Sequence, residues 1–182
     1  MTYNSQYDAI ADKYDTLFVD ESSLAENAEV GEMLLPLRGS VLDIGCGTGL
    51  LTEIVNISPK RYFGIDPSEK MLRHFKTKHP NYTHLICAPY DGYTLDCNMY
   101  DNIVALFGSA SYLDDYALKT LSESKRNKFL MFYKDTYHPK TYEKCNIELH
   151  HHTRTKKEIG SIFVEDKVEE FNSYFIVRRW KT

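Results

Sequence analysis

Short apolar runs recur along this chain, and stretches of helical period separate most of them. SVLDIGC, RYFGID, YTHLICA, YDNIVALFG and KFLMFYK read as strands. The segment from about Gly49 to Asn56, PSEKMLRHFKTKH and DYALKTLSES read as helices, the second with Met71, Leu72 and Phe75 on one stripe. A strand that is apolar at nearly every position has no wet face, so it belongs in a sheet covered on both sides. Strand–helix alternation needs right-handed crossovers, which make neighbouring strands parallel. The expected fold is therefore α/β, a doubly wound, mostly parallel sheet. Upstream, SSLAENAEVGEMLLP reads as a helix with a Ser23/Glu26 capping box, closed by Pro36. The tail breaks the rhythm. TKKEIGSIF is a short helix with a Thr155/Glu158 capping box, and VEDKVEEF and SYFIVRRW meet near Asn172 as a hairpin. Seven strands result, the last pair a C-terminal antiparallel hairpin.

At 182 residues, with no internal repeat and no Pro/Ser linker, residues 1–182 read as one domain. Lys and Arg total 22 against 26 Asp and Glu, a net charge of −4 with a pI near 6.0. That balance offers no global attraction to nucleic acid or to an anionic membrane. The basic clusters SKRNK and RRWK are short, are balanced by EDKVEE, and read as solvated faces. No stretch has the length of a transmembrane helix, and the first residues lack a signal-peptide pattern, so a cytoplasmic location is expected. Cys46, Cys87, Cys97 and Cys145 show no C-x-x-C spacing and read as free thiols.

The first strand runs straight into GCGTG. Glycines in the first strand-to-helix turn of a doubly wound sheet let a ligand approach bare main chain. A dinucleotide turn wants G-x-G-x-x-G, leaving the helix N-terminus to the pyrophosphate. Here the third glycine comes one place early, and Asp43 stands two residues before the first. A carboxylate there repels pyrophosphate and suits an ammonium group, and an unpaired buried carboxylate would be costly. The pattern points to a cationic, amino-acid-bearing nucleoside. Asp66 ends the second strand, where a carboxylate can accept from a ribose diol. DPSE also reads as a helix start, with Asp66 as N-cap, Pro67 at N1 and Glu69 at N3.

VLDIGCGTG, GIDPSEKML and YDNIVALFGSASYL, at these spacings, resemble the class I S-adenosylmethionine-dependent methyltransferases, whose fold is Rossmann-like. The resemblance runs from about Tyr3 to Trp180. It implies S-adenosyl-L-methionine as cofactor and S-adenosyl-L-homocysteine as product. It also implies a helical lead-in over 1–38, a cofactor-binding core over 39–134, and a substrate-side loop, helix and hairpin over 135–182. Asp43, Gly45, Cys46 and Gly47 would surround the methionine portion, and Asp66 would hold the ribose hydroxyls. Met71 would pack on the adenine, and Leu106 would offer main chain near the sulfonium. The lead-in YDAIADKYD resembles the family's N-terminal helix, with Tyr14 the residue that closes over the cofactor. The chain departs from the family after the third strand. ICAPYDG puts Cys87 or Ala88 where an adenine-binding acid is expected, so the Ala88 main chain is the implied contact. SKRNK also replaces the usual Pro-Gly-Gly turn before the fifth strand.

Methyl transfer from a sulfonium is an in-line displacement, so the protein aligns the acceptor and excludes water. A base helps only where the nucleophile carries a proton. The acceptor should sit beyond the fourth and fifth strands, between FGSASYLDD and YHPKTYEKCNIELHHHT. Tyr112, His138 and His152 are the candidate catalytic side chains there. Of His150, His151 and His152, only His150 and His152 could share an ion, with His138 as a third ligand, because neighbours on a strand point to opposite faces; solvated loop histidines are the expected reading, and no metal is expected. The expected reaction is methylation of nitrogen or oxygen on a small-molecule acceptor, with no membrane and no nucleic-acid partner. The alternatives are an RNA or protein methyltransferase, a catalytically silent S-adenosylmethionine-binding module and, more distantly, a nicotinamide dehydrogenase.

Overall fold

A computed structural model describes residues 3–136 and 152–180. Seven strands form one sheet in the order β3-β2-β1-β4-β5-β7-β6: β1 (Val41–Ile44), β2 (Tyr62–Asp66), β3 (Leu85–Cys87), β4 (Asn102–Ala105), β5 (Asn127–Tyr133), β6 (Lys167–Phe171) and β7 (Tyr174–Arg179). Strands β1 to β5 are parallel. β7 runs antiparallel to β5 and to β6. The expected hairpin turns at Asn172, held at a φ of 45° that asparagine tolerates better than most residues. After β1 the chain winds outward through β2 to β3, then returns to place β4 on the other flank of β1. The carboxyl ends of β1 and β4 therefore diverge, opening a crevice where doubly wound sheets bind ligands.

Helices cover both faces because the strands bury residues on both. Val41, Tyr62, Val104, Phe129 and Met131 pack with Val30, Leu34, Leu51, Leu72 and Phe75. These come from α2 (Glu21–Met33), α3 (Leu50–Ile54), α4 (Glu69–Lys78) and their flanks. Leu42, Ile44, Ile103, Leu130 and Phe132 face the other way, onto Ala117, Leu118, Leu121 and Ile159 of α5 (Asp115–Glu123) and α6 (Lys156–Ile162). The Thr155/Glu158 capping box of α6 is present as expected.

Four local expectations are corrected. α2 is capped by Asp20, which accepts from the Ser23 backbone N–H at 3.0 Å, so no Ser23/Glu26 box forms; Glu26 instead accepts from Asn172 at 2.9 Å. The third strand is confined to Leu85–Cys87 and does not extend back to Tyr82. The N-cap of α4 is Ser68, not Asp66, and Pro67 precedes the cap. In SKRNK, Lys128 is no solvated residue: its ammonium is fully buried and paired with Asp166 at 2.8 Å, and Asp166 also accepts from Arg179. Alternation along β5 forces Lys128 inward, and a buried charge is tolerated only with a partner.

Before α2, α1 (Tyr3–Ile10) and a 3-10 segment (Ala11–Leu17) lie over the crevice. Ile10, Ala11 and Met71 of α4 make a small core there, with Tyr7, Tyr14 and Leu17 packed on it. Three acids at helical spacing bind this segment to its support. Asp8 accepts from Ser68 at 2.6 Å, Asp12 meets His74 at 3.0 Å, and Asp15 takes both Thr48 and Lys78.

Candidate active site

The crevice is a cavity of about 510 Å³. Its floor is the β1–α3 loop and the carboxyl ends of β2 and β4; its roof is the N-terminal segment. Tyr14, Asp43, Gly45, Cys46, Gly47, Asp66, Met71, Leu106 and Tyr112 all line it. Ala88 does not: its backbone N–H is spent on the Asp66 carbonyl at 3.2 Å, and Pro89 and Tyr90 form that part of the wall. His152 is exposed outside the lining, but its ring lies 5.9 Å from that of Tyr112. His138 falls outside the described residues, as do His150 and His151. Among the described residues no group of His, Cys, Asp and Glu is placed to hold a metal ion.

The glycines of GCGTG serve different ends. Gly45 is bare because Ser109, after β4, needs the space: a Cβ there would lie 2.6 Å from the Ser109 hydroxyl. Gly47 is bare for another reason. Its φ is +52°, and a Cβ would meet no protein atom within 4 Å. Gly47 also lines the cavity, so the room belongs to the ligand space. Its N–H donates to Asp66 Oδ2 at 2.9 Å, while Ser68 N–H donates to Oδ1 at 2.8 Å. Each carboxylate oxygen keeps a further lone pair. Burial pushes the Asp66 carboxyl up to about 6, partly offset by these two N–H donors.

Asp43, expected to face an ammonium group, also has a partner within the protein. Its side chain is 2 % exposed and accepts from the Tyr62 hydroxyl at 2.6 Å. The parallel register pairs Asp43 with Gly64, two residues beyond Tyr62 and on the same face. A Cβ on Gly64 would come within 3.1 Å of the Tyr62 ring and 2.8 Å of Cys46 Sγ, so the glycine makes room for that contact. Burial still dominates, raising the Asp43 carboxyl to about 7 against the Tyr62 bond that lowers it. A bound cation beside it would favour the ionised form.

The opposite end of the cavity is aromatic. Tyr7 and Tyr112 share a hydroxyl–hydroxyl hydrogen bond of 3.1 Å, with ring centroids 6.0 Å apart. Tyr7 also packs against Tyr14 at 6.1 Å, and Tyr112 against Tyr133 at 6.5 Å. Phe107, just past β4, sits at a φ of 44°, a left-handed conformation rare for an aromatic residue. The Leu106 carbonyl accepts from Ser109 N–H at 2.9 Å. Sequence reasoning missed Tyr7, Phe107, Ser109 and Ser68. The spacing of Asp8, Asp12 and Asp15 was the signal for a docked helix that carries Tyr7 inward.

Residues 41–127 match the family model for a methyltransferase domain. Solved structures align along nearly the whole chain. DesVI of Streptomyces venezuelae, 17% identical, superposes with a TM-score of 0.63, over 92% of this chain and 97% of its own. The DhpI–SAH complex, also 17% identical, gives 0.66 over 96% and 93%. A SAM-dependent enzyme of Thermotoga maritima, described as a possible histamine N-methyltransferase, is 16% identical with a TM-score of 0.63, over 92% and 82%. At these identities the likeness is one of fold. No curated protein matches the sequence.

Proposed function

From the premise that this chain carries a class I S-adenosylmethionine-dependent methyltransferase domain, we propose that it methylates a nitrogen or oxygen of a small-molecule acceptor. One observation carries the reading. A single cavity of about 510 Å³ joins the Gly47–Asp66 end to a tyrosine-walled end beneath the N-terminal segment. That volume falls within the range of small-ligand pockets, roughly 300–1,000 Å³.

The residues present fit the cofactor. Gly47 offers bare main chain to the cavity, and Asp66 keeps acceptor lone pairs after its two internal bonds. When bound, S-adenosylmethionine supplies an electrophilic methyl group on a sulfonium. Asp66 would accept from the ribose hydroxyls, and Asp43 would favour the ammonium end. Met71 and Tyr14 would close around the bound molecule. Tyr7, Tyr112 and Phe107 would exclude water and hold the acceptor for in-line attack. Tyr112, in the lining, would take an acceptor proton, with the His152 ring packed beside it.

Titration calorimetry with S-adenosylmethionine and with NAD tests the cofactor half. Tight NAD binding with none of S-adenosylmethionine would end the reading. Labelled methyl transfer to pooled metabolites, bulk RNA and bulk protein tests the acceptor half. Label is expected in the metabolites; label in RNA or protein alone would move the acceptor to a macromolecule. Cofactor binding without any transfer would mark a silent module.

A further inference from the structure

A half-buried arginine beside the tyrosine-walled end has one buried donor without a partner. Arg154 pairs alongside the carboxyl end of β5: its backbone N–H donates to the Tyr133 carbonyl at 3.2 Å, and it bridges Lys134. Its side chain, 23% exposed, reaches toward the start of α5. There Nη2 donates to the Leu113 carbonyl at 3.4 Å and lies 4.0 Å from Asp115, whose side chain is 96% exposed. Nε is buried without a partner. A guanidinium has five donors in a rigid plane and keeps its charge at any physiological pH. A buried donor left unmade is costly. One long bond and a solvated carboxylate at the limit of ion-pair distance compensate little of that.

The neighbours say what the group suits. Leu113 and Tyr112 line the cavity, and His152 packs on Tyr112. Lys134, opposite Arg154 in the bridge, is engaged by Glu170 at 3.3 Å and lies over the Phe175 ring. The cavity's own buried carboxylates have other partners: Asp43 is held by Tyr62, and Asp66 by Gly47 and Ser68. Arg154 is not itself in the cavity lining but bonds the carbonyl of a lining residue, Leu113, and a planar cation next to that wall matches a planar or tetrahedral oxyanion.

We propose that Arg154 is a specificity-determining residue that holds an oxyanion of the methyl acceptor, a carboxylate or a phosphate. The acceptor class is then small molecules carrying such a group as well as the nucleophilic nitrogen or oxygen. The proposal rests on the methyltransferase reading above.

The test titrates inorganic phosphate and benzoate into wild-type, Arg154→Gln and Arg154→Lys proteins, each with and without S-adenosylhomocysteine. Both oxyanions should bind wild type and weaken about tenfold in Arg154→Gln, the loss of one charge-assisted contact. Arg154→Lys should fall between, because it keeps the charge and loses the fork. S-adenosylhomocysteine affinity should not move, which also reports that the variants are folded. A preference for phosphate or for benzoate names the source of the oxyanion. With the acceptor found by label, Arg154→Gln should raise KM and leave kcat nearly unchanged. Equal oxyanion binding by wild type and Arg154→Gln overturns the proposal, as does an acceptor with no acidic group. Failure of wild type to bind S-adenosylhomocysteine would sink the methyltransferase reading instead, and the cofactor-free titrations would still decide Arg154.

Discussion

The two ends of the cavity are built in different ways. The Gly47–Asp66 end comes from two short stretches at the carboxyl ends of adjacent strands, and its key bonds run between main chain and one carboxylate. The tyrosine-walled end draws on α1, the turn after β4, the end of β5 and the segment at His152, and rings in contact hold it together. Sheet order is enough to bring the first together. The second exists only once distant elements have docked. The first end should therefore be rigid toward one ligand, and the second open to variation in the acceptor.

Substitutions can break that contrast, beginning with the largest expected effect. Gly47→Val places a β-branched residue at φ +52° and pushes its Cβ into the ligand space. S-adenosylmethionine affinity should fall by about 100-fold or more, given the strain and the lost volume. Calorimetry beside a thermal melt separates this from unfolding, and undiminished affinity would remove Gly47 from the site. Asp66→Ala strips the partner from both Gly47 and Ser68 and should weaken cofactor binding by roughly tenfold to 100-fold. The acceptor KM, measured at saturating cofactor, should stay near wild type; a matching rise there would mean the two ends are not separate.

A milder test is pH. With its carboxyl near 6, Asp66 is ionised above that value and protonated below it. Ribose hydroxyls and the Gly47 N–H donate to the ionised form, so cofactor affinity should be full near pH 8 and decline as the pH drops through 6 toward 5. Asp66→Asn, which cannot titrate, should remove the part of the decline near pH 6 and leave the part near pH 7 that belongs to Asp43; an unchanged decline near 6 would assign it to another group. The smallest effect belongs to the other end. Tyr7→Phe deletes the 3.1 Å bond to Tyr112. A net hydrogen bond is worth about 1 kcal/mol, so the acceptor KM should rise by roughly fivefold. Cofactor affinity should change less than the acceptor KM, because Tyr7 meets the cofactor's surround only through its packing on Tyr14 and the Met71 core. A larger cofactor loss would show that Tyr7 serves both ends.

Several features of the fold and the site were legible from residue pattern alone. Apolar runs, helical spacing and the Thr155/Glu158 box are local signals, and the structure realises each. The hairpin at Asn172 also formed where turn chemistry placed it. Caps slipped by a few residues. Asp20 and Ser68 compete with Ser23 and Asp66 as oxygen donors of similar quality, and the angle at which the chain enters the helix chooses between them. Lys128 read as surface because its partner, Asp166, lies 38 residues further along the chain. The Tyr62 partner of Asp43 was not legible because it is reached only across the sheet.

The sequence by itself determined the sheet, its winding and the bare loop that opens on the cavity, because strand period, helix period and glycine placement are written in neighbouring residues. Tertiary structure alone decided which side chains meet: Tyr62 with Asp43, Asp166 with Lys128, Tyr7 with Tyr112, and an underused Arg154 beside them. Those meetings depend on register and docking between residues far apart in the chain, where no local preference reaches.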